Sequence, residues 1–134
     1  MTVRGFRDLV AWQRSVDLVE HIYRITGGWP KSEIYGLTNQ IRRAAVSVSA
    51  NIAEGQGRSS RKEFAHHVAI AYGSLCEVET HLIIANRLEY VDTATYDDLI
   101  IRTTDVARPL HGLMQSLQKP TSNDHLPTTN DRSA

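Results

Sequence analysis

The sequence lacks a second cysteine, so Cys76 cannot form a disulfide within the chain. Cys76 stands among apolar residues of a predicted helix, which favours a reduced, buried and inert thiol. The first residues lack the apolar run of a signal peptide, and no run approaches the length and apolarity of a membrane span. These absences predict a cytoplasmic protein with no membrane partner.

The sequence also lacks an excess of either charge. It has 15 Lys and Arg residues against 15 Asp and Glu residues, so no overall field favours nucleic acid or membrane. The halves differ, because residues 1–58 carry eight basic and five acidic side chains, a net of +3, whereas residues 59–118 carry five and eight, a net of −3. This asymmetry suits complementary subunits or faces, and it equally suits a local basic patch.

Sets of metal ligands and catalytic pairs are missing as well. His66 and His67 are adjacent and diverge on a helix, and no Cys, His or carboxylate set has the spacing of metal ligands. No nucleophilic side chain and general base stand at a spacing in the sequence that indicates a catalytic pair. The sequence therefore predicts a protein that is not an enzyme and holds no metal or cofactor.

Four segments with helical periodicity make up most of the chain. Its 134 residues suit one domain, and apolar residues at three- and four-residue steps predict an all-α, antiparallel up-down-up-down four-helix bundle over residues 1–118. Ser32 is the predicted N-cap of the second helix, and Ser60 and Glu63 form a predicted capping box before the third. Residues 119–134 lack periodicity and predict a disordered tail. The predicted helices cover about residues 8–26, 33–54, 61–90 and 94–118.

The second helix carries a polar stripe opposite its apolar one, and the third helix carries a matching polar face. The two faces could form a ligand site, or a polar network that joins helices or subunits, for example through Arg43 and Glu77. We favour the network, because no catalytic pair is present. Its predicted members are Gln40, Ser47, Asn51, Glu54, Ser74 and Glu77.

The turn between the second and third helices concentrates cations at a helix start. Free N–H groups, the helix dipole and basic side chains together favour a phosphate, although a solvated helix start explains the same residues. Among the predicted phosphate ligands, Arg43 best fits a structural role in place of a phosphate contact. The predicted phosphate ligands are Arg42, Arg43, Arg58, Arg61 and Lys62.

Several motifs closely resemble the 23S rRNA intervening-sequence proteins, a family of four-helix bundles. The resemblance covers about residues 6–90, and its most specific block runs from Arg42-Arg43-Ala44-Ala45 to Glu54-Gly55-x-Gly57-Arg58. Members are similar to the accessory protein of diversity-generating retroelements, which implies a homopentameric ring with affinity for nucleic acid.

Two functional hypotheses follow. The first is a non-enzymatic homo-oligomer, a pentamer by resemblance, that binds RNA or DNA through backbone phosphates and could serve as an accessory factor. The alternative is a protein-interaction or structural scaffold whose small-residue face, including Ala50 and Ala53, docks a neighbouring chain or a partner protein and touches no nucleic acid.

Overall fold

The computed structural model describes residues 5–119, which form four long α-helices and no β-strand. The fold class is therefore all-α, as predicted. Two short 3-10 turns, Phe6–Asp8 and Lys31–Glu33, precede the first and second helices. Apart from Lys119, the predicted tail lies outside the described residues. The helices are α1 (Val10–Thr26), α2 (Leu37–Gln56), α3 (Arg61–Arg87) and α4 (Thr93–Gln118).

The four helices surround one hydrophobic core. Each contributes an apolar stripe, and the fully buried side chains include Leu18 of α1, Ile41 of α2, Val78 of α3 and Leu110 of α4. α2 packs most extensively on α3, α3 packs on α4, and α1 contacts both α2 and α4. Within the described range, no Cα atoms of the diagonal pairs, α1 with α3 and α2 with α4, lie within 8 Å of each other. This is the square cross-section of a four-helix bundle.

The start of α2 differs from the prediction, whereas the start of α3 agrees with it. Ser60 Oγ accepts a hydrogen bond from the Glu63 N–H at 3.0 Å, which is the serine half of the predicted capping box. The Glu63 carboxylate accepts from the Ser60 hydroxyl at 3.3 Å instead of from the Ser60 N–H. Ser32 instead lies in the second 3-10 turn and caps nothing, and α2 begins only at Leu37. Its first N–H donates to Glu33 Oε1 at 3.0 Å. The carboxylate of the preceding turn thus takes the place of the predicted serine cap.

Glu33 also ties this turn to the end of α3. Its Oε2 accepts a hydrogen bond from the Tyr90 hydroxyl at 2.8 Å. The Leu37 N–H, and then the Tyr90 hydroxyl, lower the pKa of Glu33, because both bonds favour the carboxylate. α3 stops at Arg87 rather than at Tyr90, and Glu89 adopts a left-handed backbone with φ of 62°.

α3 overturns two expectations about the chain. Cys76 is exposed rather than buried, because it lies on the face of α3 that points away from the core. Among the described helices, α3 is also long and apolar enough to cross a membrane by length and composition, so the expectation that no run approaches this limit was wrong. The core helix of a bundle passes the same test. Only 39% of the apolar 18-residue window of α3 is buried.

Gly55 sets the distance between α2 and α3. A Cβ built on Gly55 would lie 2.6 Å from His67 Cβ and 3.0 Å from Phe64 Cδ1. Contacts this short force the two helices apart. The glycine near the end of α2 is therefore required by packing and not by a special backbone conformation, since its φ is not positive.

We predict that Gly55→Ala destabilises the protein by about 1–3 kcal/mol, since the added methyl group overpacks the contact with α3. Gly73, which lies inside α3 with no atom within 4 Å of a built Cβ, provides the matched control. Gly73→Ala should instead stabilise by up to about 1 kcal/mol through helix propensity. Urea unfolding measures both changes, and equal effects of the two substitutions would contradict the packing role of Gly55.

Candidate functional site

An open groove of about 750 Å³ runs over the outer surface of α2 and α3. It brings together four of the predicted network residues, Gln40, Ser47, Ser74 and Glu77, with the predicted phosphate ligand Arg43. The other residues of its lining are not members of the predicted network, although His81 shares the polar face of α3. They are Tyr23, Asn39, Ala44, Val46 and His81.

Below the groove, a ladder of hydrogen bonds joins α2 to α3. The hydroxyls of Ser47 and Ser74 lie 2.8 Å apart. Asn51 Nδ2 donates to the Ser47 carbonyl at 2.9 Å and to Ser47 Oγ at 3.1 Å, and Asn51 Oδ1 lies 3.0 Å from His67 Nδ1. These partly buried polar atoms satisfy one another, so this part of the stripe holds the two helices in register. His67 belongs to the polar face that the sequence predicts for α3, and it joins this network through Asn51.

The ladder ends in a charged cluster at the turn between α2 and α3. Arg58 contacts Glu54 at 2.6 Å and Glu63 at 3.8 Å, and His67 Nε2 lies 3.9 Å from the Glu54 carboxylate. Arg58, followed by His67, lowers the pKa of Glu54. The side chain of Arg58 is 44% exposed, so these contacts are worth little to stability and leave its guanidinium open to a further ligand.

Arg43 on α2 and Glu77 on the adjacent α3 line the same groove but do not pair. Both side chains are exposed, and neither forms an ion pair or a hydrogen bond with another described residue. The pairing suggested as an example of the network is therefore absent within the single chain. Burial lowers the pKa of the neighbouring His81, and the Glu77 carboxylate, which is the smaller effect, raises it.

Two of the predicted phosphate ligands are engaged at helix C-termini. Arg42 Nε donates to Thr26 Oγ1 at 2.8 Å, and its guanidinium lies over the Tyr23 ring at 4.6 Å. Arg61 Nη2 donates to the carbonyls of Leu117 at 3.0 Å and Lys119 at 2.6 Å. The last carbonyls of a helix carry its negative dipole end, so Arg61 caps α4. Arg42 supports the end of α1 in a similar way, because its Nη2 also donates to the Tyr23 carbonyl at 3.3 Å.

The five predicted phosphate ligands thus occupy three separate places. Arg42 lies at the end of α1, and Arg43 lies in the groove, about 22 Å along α2 from Arg58 at 1.5 Å per residue. Arg61 and Lys62 lie with Arg58 at the start of α3, where Lys62 is exposed. They do not form one site. Within residues 5–119, no three His, Cys, Asp or Glu side chains are grouped so as to hold a metal ion.

Comparison with known proteins agrees with this architecture. The model of the 23S rRNA-intervening sequence protein family matches residues 7–112. The fold is similar to the crystal structure of a protein of unknown function from the S23 ribosomal protein family of Bacteroides thetaiotaomicron VPI-5482, with a TM-score of 0.73 and 23% identity. That alignment covers 79% of this chain and 96% of the other. No match was found among curated proteins.

We predict that Arg61→Ala lowers the free energy of unfolding by about 1–2 kcal/mol, because charged hydrogen bonds to the last carbonyls of α4 are removed. Its neighbour Lys62 is the matched control, and Lys62→Ala should change stability by no more than about 0.5 kcal/mol, as expected of an exposed side chain. Thermal or urea unfolding tests both. A loss for Lys62→Ala as large as that for Arg61→Ala would contradict the capping role.

His81 predicts a pH dependence of stability. Its pKa lies below the ordinary 6.5 in the folded chain, so the unfolded chain takes up the proton more readily. The stability associated with neutral His81 is therefore fully present above 6.5 and is lost as the pH falls through the lowered folded pKa. His81→Gln should reduce the slope of unfolding free energy against pH below 6.5. His111→Gln, which removes an exposed imidazole from α4, is the control, and an unchanged slope for His81→Gln would contradict this assignment.

Proposed function

Because the chain belongs to the 23S rRNA-intervening sequence protein family, we propose that it is a non-enzymatic, self-associating helical bundle that binds nucleic acid through backbone phosphates. The family name refers to an intervening sequence in ribosomal RNA. The protein of similar fold from Bacteroides thetaiotaomicron is described as a member of a ribosomal protein family. Both names make RNA the first nucleic acid to test, ahead of DNA.

We infer an up-down-up-down path for the four helices from the contacts between their ends. Arg42 joins the start of α2 to the end of α1, and Arg61 joins the start of α3 to the end of α4. Tyr90, just after α3, joins the turn that precedes α2. The starts of α2 and α3 thus lie beside the ends of neighbouring helices, as in an antiparallel bundle.

The observation that carries the nucleic-acid proposal is the exposed pair of cations at the start of α3. Lys62 is exposed and forms no ion pair or hydrogen bond with another described residue, and Arg58 presents a half-exposed guanidinium. Arg61 lies between them in sequence but is directed to the end of α4. Two cations beside a helix N-terminus suit a phosphate oxygen, and self-association, in five copies by the resemblance, would repeat this contact along a nucleic-acid backbone.

A protein-interaction scaffold is the second candidate, because apolar residues are exposed in the connection between α1 and α2. Tyr35 is 92% exposed and its neighbour Ile34 is 53% exposed. Exposed aromatic side chains are typical anchors of protein interfaces. This reading predicts that the chain captures a protein partner through Tyr35 and shows no affinity for RNA or DNA at low salt.

Fluorescence anisotropy with labelled single-stranded RNA and DNA tests the proposal. We expect binding at about 50 mM salt that weakens steeply towards about 200 mM, because phosphate contacts release counterions. The double variant Arg58→Ala/Lys62→Ala should bind more weakly and reduce the slope of log affinity against log salt by roughly 0.7 for each phosphate that is no longer neutralised. Absence of binding at low salt, or binding that does not depend on salt, would disprove the nucleic-acid proposal.

Arg24 is the matched control for this experiment. It pairs with Glu20 one helical turn earlier, as Arg58 pairs with Glu54, but it lies at the end of α1, at the opposite end of the bundle. Arg24→Ala should leave nucleic-acid affinity unchanged. Light scattering on the same samples tests self-association separately, and a mass equal to that of one chain at micromolar concentration would remove that part of the proposal.

A further inference from the structure

The groove over α2 and α3 carries two opposite charges that have no partner in the described chain. Arg43 on α2 and Glu77 on α3 both line this groove, and both side chains are exposed. Neither makes an ion pair or a hydrogen bond with another described residue. A ligand that enters the groove therefore meets a cation and a carboxylate that are both available.

The hydrogen-bond ladder below the groove places the two charges opposite each other. Ser47 of α2 lies 2.8 Å from Ser74 of α3, and the next contact joins Asn51, later in α2, to His67, earlier in α3. Residue numbers thus fall along α3 as they rise along α2. The cation lies four residues before Ser47, and the carboxylate lies three residues after Ser74. Both are therefore about one helical turn beyond the same contact and in the same direction.

Other polar groups of the groove are not used within the described chain either. The side-chain amides of Asn39 and Gln40 are exposed and form no hydrogen bond with another described residue. His81 Nδ1 is buried and has no hydrogen-bond partner among the described residues. Burial lowers the pKa of His81 below 6.5, so at neutral pH the imidazole is mostly uncharged and does not neutralise the Glu77 carboxylate beside it.

The two charges select the kind of ligand that the groove can hold. An anion attracted by Arg43 is repelled by Glu77, and a cation attracted by Glu77 is repelled by Arg43. A molecule that carries both a carboxylate and an ammonium group satisfies both side chains, and a guanidinium suits a carboxylate in particular. Val46, which is 41% exposed, and Tyr23, which is 45% exposed, line the same groove and offer apolar surface to the rest of the ligand.

We propose that the groove binds a small zwitterion with an apolar side chain, of the class of free amino acids and dipeptides. The carboxylate of the ligand binds Arg43, and its ammonium group binds Glu77. A groove of about 750 Å³ has room for a molecule of this size. The proposal rests on neither self-association nor nucleic-acid binding.

Calorimetric titration of the full chain with matched ligands tests the need for both charges. We expect L-leucine to bind with a Kd of about 0.1–1 mM, as suits a small ligand in an open groove. N-acetyl-L-leucine lacks the ammonium group and L-leucinamide lacks the carboxylate, but both keep the side chain. Each should bind at least about tenfold more weakly, because one charge of the groove gains no partner. Glycyl-L-leucine holds its two charges further apart, and its affinity relative to leucine distinguishes a dipeptide from an amino acid as the better ligand.

Substitutions identify which side chain meets which group of the ligand. Arg43→Gln should weaken leucine binding by about tenfold and make leucine and leucinamide bind alike, because the carboxylate has lost its partner. Glu77→Gln should in the same way make leucine and N-acetyl-leucine bind alike. A purely structural effect would instead weaken every ligand equally and would contradict these contacts. Arg24→Gln, which removes an exposed charge at the end of α1, is the control and should leave all affinities unchanged.

Three results with the wild-type chain would overturn the proposal without any variant. The first is that neither L-leucine nor glycyl-L-leucine binds at up to about 10 mM. The second is that N-acetyl-L-leucine binds as tightly as leucine, since the groove is then a site for anions. The third is that L-leucinamide binds as tightly as leucine, since the groove is then a site for cations. Each of these results leaves the nucleic-acid proposal standing, because the anisotropy experiment measures that binding separately.

Discussion

The close approach of α2 to α3 is the constraint on which the rest of the structure depends. Gly55 allows the backbone of α2 to lie against His67 and Phe64, and the hydrogen bonds from Ser47 and Asn51 fill the space between the helices with satisfied polar groups. A larger residue at Gly55 would separate the helices and break those bonds. The same approach shapes the groove above, because its two walls are the outer edges of this helix pair.

Two arginine side chains support the ends of neighbouring helices. Arg42 and Arg61 lie at helix beginnings, yet each reaches the last carbonyls of a neighbouring helix. In an antiparallel bundle the start of one helix is beside the end of the next, so one cation can connect both. The consequence for function is that only three of the five predicted phosphate ligands are available for an external ligand, and those three lie in two distant places: Arg43 in the groove, and Arg58 with Lys62 at the start of α3.

Apolar periodicity was sufficient to predict four helices, because each helix buries a single stripe. The start of α2 could not be predicted in the same way, since its cap is the Glu33 carboxylate and that side chain is held by Tyr90 from 57 positions away. The separation of the five predicted phosphate ligands could not be predicted for a similar reason. Arg61 is close to Arg58 in sequence, but its hydrogen-bond partners lie 55 to 58 positions further along the chain, where no local pattern indicates them.

The orientation of Asn51 determines the chemical form of its neighbour. A carbonyl oxygen can only accept, so the contact with the Ser47 carbonyl fixes the Asn51 amide with Nδ2 towards α2 and Oδ1 towards His67. His67 must then carry its proton on Nδ1, the less common tautomer of a free imidazole. The other ring nitrogen, Nε2, faces the Glu54 carboxylate at 3.9 Å. One asparagine thus orients the imidazole of His67 so that its Nε2 edge faces the charged cluster at the turn between α2 and α3.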